Sequence, residues 1–307
     1  MKKILVIGSL NMDTVIETPS MPEVGETISG RNITHIPGGK GANQAYSIGK
    51  LGGDIAMLGA VGDDGKGQKL IENLKSAGVD VSGVQVLRNT PTGQAFITVD
   101  DKGENSIIII AGANGKVTKK LIDNNMDLLT QSDIVIMQLE IPLEIVEYIK
   151  DLVKNEKKII ILDPAPAVKE IPDSMWEGID YIKPNETELQ ILTGMDVSNK
   201  KNIEIAARSL IKKGVKNVIV TLGGEGCMYI NENTEEFFPA YHVNVVDTTA
   251  AGDCFTAAFA LALSQGKNWQ EAIGFGQKAS AIAVTRKGAQ TSIPTRKEVE
   301  EMKGGEA

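Results

Sequence analysis

The segment Val246-Asp247-Thr248-Thr249-Ala250-Ala251-Gly252-Asp253 joins hydroxyl-bearing and small residues to an apolar run, Cys254 to Leu263, read as an amphipathic helix. Small residues let a ligand approach the backbone closely. The unpaired N–H groups of a helix start, with the helix dipole behind them, form an anion site. A carboxylate beside such a site can take a proton from a hydroxyl while a phosphoryl group moves. An acid in a first helical turn also serves simply to complement the dipole, and Asp253 alone does not decide between the two.

A second cluster, Gly38-Gly39-Lys40-Gly41-Ala42-Asn43, precedes Gln44-Ala45 and another helical stretch. Three glycines in four residues permit positive φ and close backbone approach, although a plain turn has the same composition. Asn11 and Asp13 lie just past the first predicted strand, and Glu140 follows the run Ile134 to Leu139. Those positions are where open α/β sheets bind ligands, and three polar clusters there suit a polyol. Lys183-Pro184-Asn185-Glu186-Thr187-Glu188 and Thr221-Leu222-Gly223-Gly224-Glu225-Gly226 each follow a further strand; a helix cap and a hairpin turn are their ordinary readings. Neither Lys40 nor Lys66 is followed by Ser or Thr, so the P-loop pattern fails, and Gly8-Ser9-Leu10-Asn11 is no dinucleotide fingerprint.

These residues must be positioned by an α/β framework. Ile4–Ile7, Ile55–Val61, Ile134–Met137, Ile159–Leu162, Tyr181–Lys183 and Val218–Leu222 read as strands covered on both faces. Between them Leu143, Val146, Ile149 and Val153 share one helical face, as do Ile203, Ala206, Ala207, Leu210 and Ile211. The alternation predicts a parallel sheet sandwiched between helices. Residues 14–37 and 94–110 lack helical period and carry Pro, Gly and β-branched residues, with a turn at Asp101-Lys102-Gly103-Glu104. They predict a small β-sheet lid inserted in one domain spanning residues 1–307, whose last five residues, Lys303 to Ala307, are expected to fray.

The bulk properties narrow the classes. A net charge of -8 and an aromatic content of 4% argue against nucleic-acid binding. No run of about 18 apolar residues occurs, which argues against a membrane span. Cys227 and Cys254 are far apart with no CxxC spacing, giving neither a disulfide framework nor a thiolate zinc site, and a reducing cytoplasm is the expected location. His35 and His242 are too few for a metal cluster, and Cys254, without a histidine base, reads as helix packing.

Taken together, the motifs resemble the ribokinase family of carbohydrate and nucleoside kinases, from Gly8-Ser9-Leu10-Asn11-Met12-Asp13 to Thr285-Arg286-Lys287-Gly288-Ala289-Gln290. The family's DTxAAGD, NxxE and TLGxxG motifs stand at Asp247 to Asp253, Asn185 to Glu188 and Thr221 to Gly226. The resemblance implies a Rossmann-like fold with a β lid and transfer of the γ-phosphoryl of ATP to the primary O5 hydroxyl of D-ribose. It implies that Asp253 is the base and that the amides of Ala250, Ala251 and Gly252 form the anion hole. Asn11, Asp13, Gly39, Lys40, Gly41, Ala42, Asn43, Glu140 and Asp253 itself would bind sugar, and Asn185, Thr221, Gly223, Gly224, Gly226, Gly252 and Gln277 would surround ATP. Glu188 would act on Mg²⁺ through water. Asp247, Thr249, Ala283, Arg286, Gly288 and Ser292 would hold K⁺, and a homodimer would form through the lid. The alternatives are a related kinase of 2-deoxyribose, fructose or a nucleoside, with Met12 beside Asn11 and Asp13 leaving ribose against deoxyribose open. A non-catalytic sugar or nucleotide sensor is the rival of another class; an intact Asp253 counts against it.

Overall fold

The computed structural model describes residues 2–302, so the fraying expected of Lys303 to Ala307 lies outside the described residues. The strands in chain order are β1 (Ile4–Ile7), β2 (Asn11–Glu17), β3 (Asn32–Gly38), β4 (Ile55–Gly62), β5 (Asp80–Leu87), β6 (Gly93–Val99) and β7 (Asn105–Ile110). They continue as β8 (Ile134–Gln138), β9 (Ile159–Asp163), β10 (Tyr181–Ile182), β11 (Asn217–Thr221), β12 (Gly226–Asn231) and β13 (Glu235–Pro239). One sheet has nine strands in the order β13-β12-β11-β10-β9-β8-β1-β4-β5, and a second has four in the order β3-β2-β6-β7.

The six apolar runs all become strands of the large sheet. Alternation along β1 sends Leu5 and Ile7 into one hydrophobic layer and Ile4 and Val6 into the other, so each face is covered by its own helices. Leu143–Val153 and Lys200–Lys212 lie on the first face, and Lys40–Lys50, Gly65–Ser76 and Ala251–Ser264 on the second. The sheet departs from the all-parallel expectation: β12 and β13 run antiparallel. The short turn Gly223–Glu225 folds β12 straight back onto β11, whereas a parallel neighbour would need a crossover helix. The edge strands β5 and β13 form no unbroken apolar run, because much of each is exposed.

The helix that follows the Val246–Asp253 loop, Ala251–Ser264, is not amphipathic. Every residue from Asp253 to Ser264 is buried, and Ala257, Ala258, Ala260 and Ala262 admit close neighbours. It packs against the helices Lys40–Lys50 and Trp269–Ala283. A helix that is apolar all round is a core helix, and its start is thereby fixed rigidly.

From β1 the chain winds outward to β4 and β5, then crosses back so that β8 pairs with the other side of β1. The order therefore reverses at the carboxyl ends of β1 and β8, which opens a crevice there. The four-stranded sheet starts above it, since β2 follows β1 after only Gly8-Ser9-Leu10. Among the described residues no helix is long and apolar enough to cross a membrane.

Candidate active site

Ala250 enters the Ala251–Ser264 helix in the left-handed conformation, with φ 59° and ψ 11°. Among the described residues only Asn89 shares positive φ without being glycine. Such a residue costs on the order of 1–3 kcal/mol and persists where its surroundings over-determine it. Of the three expected anion-hole amides, Ala251 N–H is turned inward, donating to the Thr248 carbonyl at 3.2 Å. The N–H groups of Ala250, Gly252 and Asp253 meet no acceptor among the described residues. A side chain to which the sequence assigned no role joins them: a Cβ built on Gly252 would lie 3.3 Å from Nζ of Lys183. Lys183 is buried and pairs with buried Asp163 at 3.5 Å.

Asp253 is buried, and both of its oxygens accept hydrogen bonds, Oδ2 from Asn43 Nδ2 at 2.9 Å and Oδ1 from Gln44 Nε2 at 3.1 Å. Burial raises its pKa and the Asp163 charge adds to this, while the Lys40 ammonium and the two amide donors oppose it. Burial pushes the Lys40 ammonium down, but the carboxylates of Asp253, Asp163, Glu140 and Glu188 outweigh it and hold Lys40 above the ordinary lysine range.

The glycine cluster explains how β1, β2 and the Lys40–Lys50 helix come so close. Gly39 has φ 87°, and a Cβ there would stand 2.7 Å from Asn11 N; one at Gly41 would stand 2.6 Å from Ser9 N. Glu140 crosses this junction, accepting from Lys40 N–H at 3.0 Å and from the Ser9 hydroxyl. Ala42 N–H donates to the Ser9 carbonyl at 2.8 Å. Asn11 and Asp13 alternate along β2 with Met12, which is buried in the core with Leu10 and Val61 and so does not face the crevice with them. Asp13 lies against Gly38, where a Cβ would collide with its carboxylate, and it has no hydrogen-bond donor among the described residues. Burial, then the Glu140 and Asp253 charges, raise its pKa to about 7. Asn114, also unanticipated, donates through Nδ2 to Asn11 Oδ1 at 2.7 Å.

A cleft of about 620 Å³ brings the expected nucleotide residues together: Asn185, Glu188, Thr221, Gly223, Gly224, Gly226 and Gln277 line it with Ala250 to Asp253, Lys40 and Lys183. Asn185 and Glu188 also cap the Glu186–Thr193 helix reciprocally, each bond 2.8 Å, so the ordinary reading of that motif holds as well. Gln277 donates to the Phe238 carbonyl at 3.0 Å and thereby ties β13 to the cleft wall. Val243, Val245, Ala281 and Val284 give the cleft an apolar part that the motifs did not reveal. Of the expected sugar residues, Lys40 and Asp253 reach this wall, while Asn11, Asp13 and Glu140 adjoin it.

The Asp247 loop and the Ala283–Ser292 segment are also joined. Asp247 Oδ1 accepts from Thr249 N–H at 2.9 Å and its hydroxyl at 2.6 Å, and Oδ2 accepts from Gly288 N–H at 2.8 Å. Burial pushes the Asp247 carboxyl up, but those donors and Lys287 outweigh it and bring it below the usual range. Arg286 turns its guanidinium to Glu298 at 2.6 Å, so only its carbonyl is free for the loop, and the Ser292 hydroxyl donates to the Ala289 carbonyl at 2.7 Å. Carboxylate and carbonyl oxygens are the donors a hard cation takes. Among the described residues no group of three or more His, Cys, Asp or Glu could hold a metal, so Glu188 fits magnesium only where phosphates and water supply the remaining ligands.

A buried carboxylate beside open helix-start amides, with two lysines and a cleft of nucleotide size, defines a phosphotransferase with an alcohol acceptor. The chain belongs to the pfkB family of carbohydrate kinases, whose model matches residues 1–296. It is 39% identical over 297 residues to a ribokinase of Haemophilus influenzae, covering 97% of both chains. It is also 39% identical over 292 residues to a deoxyribokinase of Salmonella typhi, covering 95% of both. The structure of an Arabidopsis thaliana ribokinase complexed with ribose and ATP matches with a TM-score of 0.93 at 37% identity, covering 98% of both chains.

Proposed function

We propose that the protein transfers the γ-phosphoryl group of ATP to the primary O5 hydroxyl of D-ribose, giving ribose 5-phosphate and ADP. The observation that carries this reading is Asp253: buried, held at both oxygens, and adjacent to the open N–H groups of the same helix start. The kinship with ribokinases and the ribose–ATP complex of the Arabidopsis thaliana protein support the choice of substrates.

Asp13 and Glu140 accept from sugar hydroxyls, and Asn11, its Oδ1 occupied by Asn114, offers its N–H. Asp253 takes the proton of the attacking hydroxyl, and its raised pKa makes it the stronger base for doing so. The amide of Gly252, with Lys183 and Lys40, meets the charge of the phosphoryl oxygens; a preorganised field of this kind is usually the largest catalytic term. Glu188 would hold Mg²⁺ through water, and magnesium when bound neutralises charge on the phosphate oxygens. Asp247, Thr249 and the carbonyls of Ala283, Arg286, Gly288 and Ser292 would hold K⁺ and so fix the loop before Ala250.

The four-stranded sheet acts as a lid that closes over the sugar and limits ATP hydrolysis by water. It also forms the contact of a homodimer: β7 is an edge strand with Ile107, Ile108, Ile109 and Ile110 exposed by 45–62%, an apolar edge that a second copy would cover. The reaction belongs in a reducing cytoplasm, in keeping with two buried, unpaired thiols.

The equal identity to a deoxyribokinase favours 2-deoxyribose as the second reading. ADP release measured with ribose, 2-deoxyribose, fructose and a nucleoside separates them. Ribose should give the highest kcat/KM. A higher value with 2-deoxyribose transfers the assignment to that sugar, and ATP binding without turnover on any acceptor makes the protein a sensor.

A further inference from the structure

Asn43 is engaged at both ends of its side chain. Its Nδ2 donates to Asp253 Oδ2 at 2.9 Å, and its Oδ1 accepts from Gln290 Nε2 at 3.0 Å. Gln290 Oε1 in turn accepts from Asn73 Nδ2, on the helix Gly65–Ser76. Three amides thus run head to tail, each presenting its N–H in the same direction, and end on the carboxylate. Gln290 and Asn43 are buried and Asn73 is half-buried, so water does not compete for the inner links.

We propose that Gln290 is a positioning residue for the reaction, orienting through Asn43 the Asp253 carboxylate that receives the proton. This rests on the reading of Asp253 as the base. An Asn amide turned by 180° would set its oxygen against the carboxylate; the Gln290 donor makes the other orientation the stable one. The opposite oxygen of Asp253 is served in the same way, Gln138 Nε2 donating to Gln44 Oε1 at 2.6 Å and Gln44 Nε2 to Asp253 Oδ1 at 3.1 Å. The charged and titratable groups facing Asp253 are Lys40 from its helix start, Asp163 at the end of β9 and Asp13 on β2, with Lys183 at the neighbouring Gly252. Two of these are carboxylates, so the amide donors are what favour an ionised Asp253 alongside the lysines. Gln290 also sits between Gly288, which donates to Asp247 Oδ2, and Ser292, so one loop anchors both the Asp247 carboxylate and the amide partner of the base.

The test compares Gln290→Met, Asn73→Leu and Asp253→Asn with wild type in full initial-rate kinetics across pH. Gln290→Met should lower kcat about tenfold, the effect of a misaligned hydrogen bond to a charged group, with both KM values within about twofold. The acid limb of its kcat profile should move to higher pH, because Asn43, no longer held by Gln290, can turn its oxygen to the carboxylate in place of its N–H; Asn73→Leu should move it in the same direction by less. Unchanged kcat and acid limb, or a raised sugar KM alone, overturns the proposal. Should Gln290→Met not fold, an unshifted limb in Asn73→Leu overturns it equally. Turnover retained by Asp253→Asn brings down the base assignment itself, whereas loss there with an unaltered Gln290→Met brings down only the relay.

Discussion

Asp253, buried, and Asp13, half-buried, are acids within electrostatic reach of each other, yet the core and the four-stranded sheet hold them differently. Asp253 lies on a helix packed on every side, and amide donors satisfy both of its oxygens before substrate arrives. Asp13 lies on β2 of the four-stranded sheet, pressed against Gly38, with no donor among the described residues. The contrast fits the two tasks proposed for them. A group that receives a proton must be fixed before the reaction, because reorganisation at that moment adds to the barrier. A group that recognises sugar is left incomplete, so that the ligand itself supplies the missing hydrogen bonds.

The comparison breaks first at Asp253. Asp253→Asn should fold and bind ATP while kcat falls roughly 10²- to 10⁴-fold, the range for loss of a general base; ATP titration beside steady-state rates checks this, and near-normal turnover places the base elsewhere. On the lid side, Asp13→Ala and Glu140→Ala should each raise the sugar KM about 10- to 100-fold, leaving that for ATP nearly constant. Equal changes in both KM values would show that the pair has no recognition role.

A smaller effect, several-fold in kcat, is expected when K⁺ is replaced by Na⁺ or a bulky organic cation at constant ionic strength. Asp247→Ala should abolish the difference, since Asp247 ties its loop to Gly288. Identical wild-type rates in all three salts would show that no cation acts there.

The folded-state pKa of Asp13 is raised from 3.8 to about 7, so native protein binds the extra proton, and stability is lost as pH rises from about 4 through 7. The loss at full ionisation is on the order of 4 kcal/mol. Asp13→Asn, which carries no charge, should melt with wild type near pH 4 and progressively above it towards pH 8. Parallel melting curves at all pH values would show that Asp13 ionises without cost.

Local chemistry carried much of this arrangement. Six strands showed as apolar runs because inner strands are covered on both faces, and the glycine cluster and helix-start loop showed as compositions that only close approach or an anion site requires. The NxxE and TLGxxG segments also lay at strand ends, where the cleft was found. Gln44, Lys183 and Gln290 stood in or beside those motifs with nothing to give them a role, and Asn114 stood in none. An amide or a lysine in a polar context looks the same in sequence whether it faces water or a buried carboxylate. Their partners are distant along the chain: Asn43 meets Asp253 and Gln290 only because the helices Lys40–Lys50 and Ala251–Ser264 pack together beneath the 288–292 loop. The sequence by itself determined which groups could react and where six strands of the large sheet run. Tertiary packing decided which amides surround Asp253, because burial leaves each polar group only the partners that the fold brings within reach.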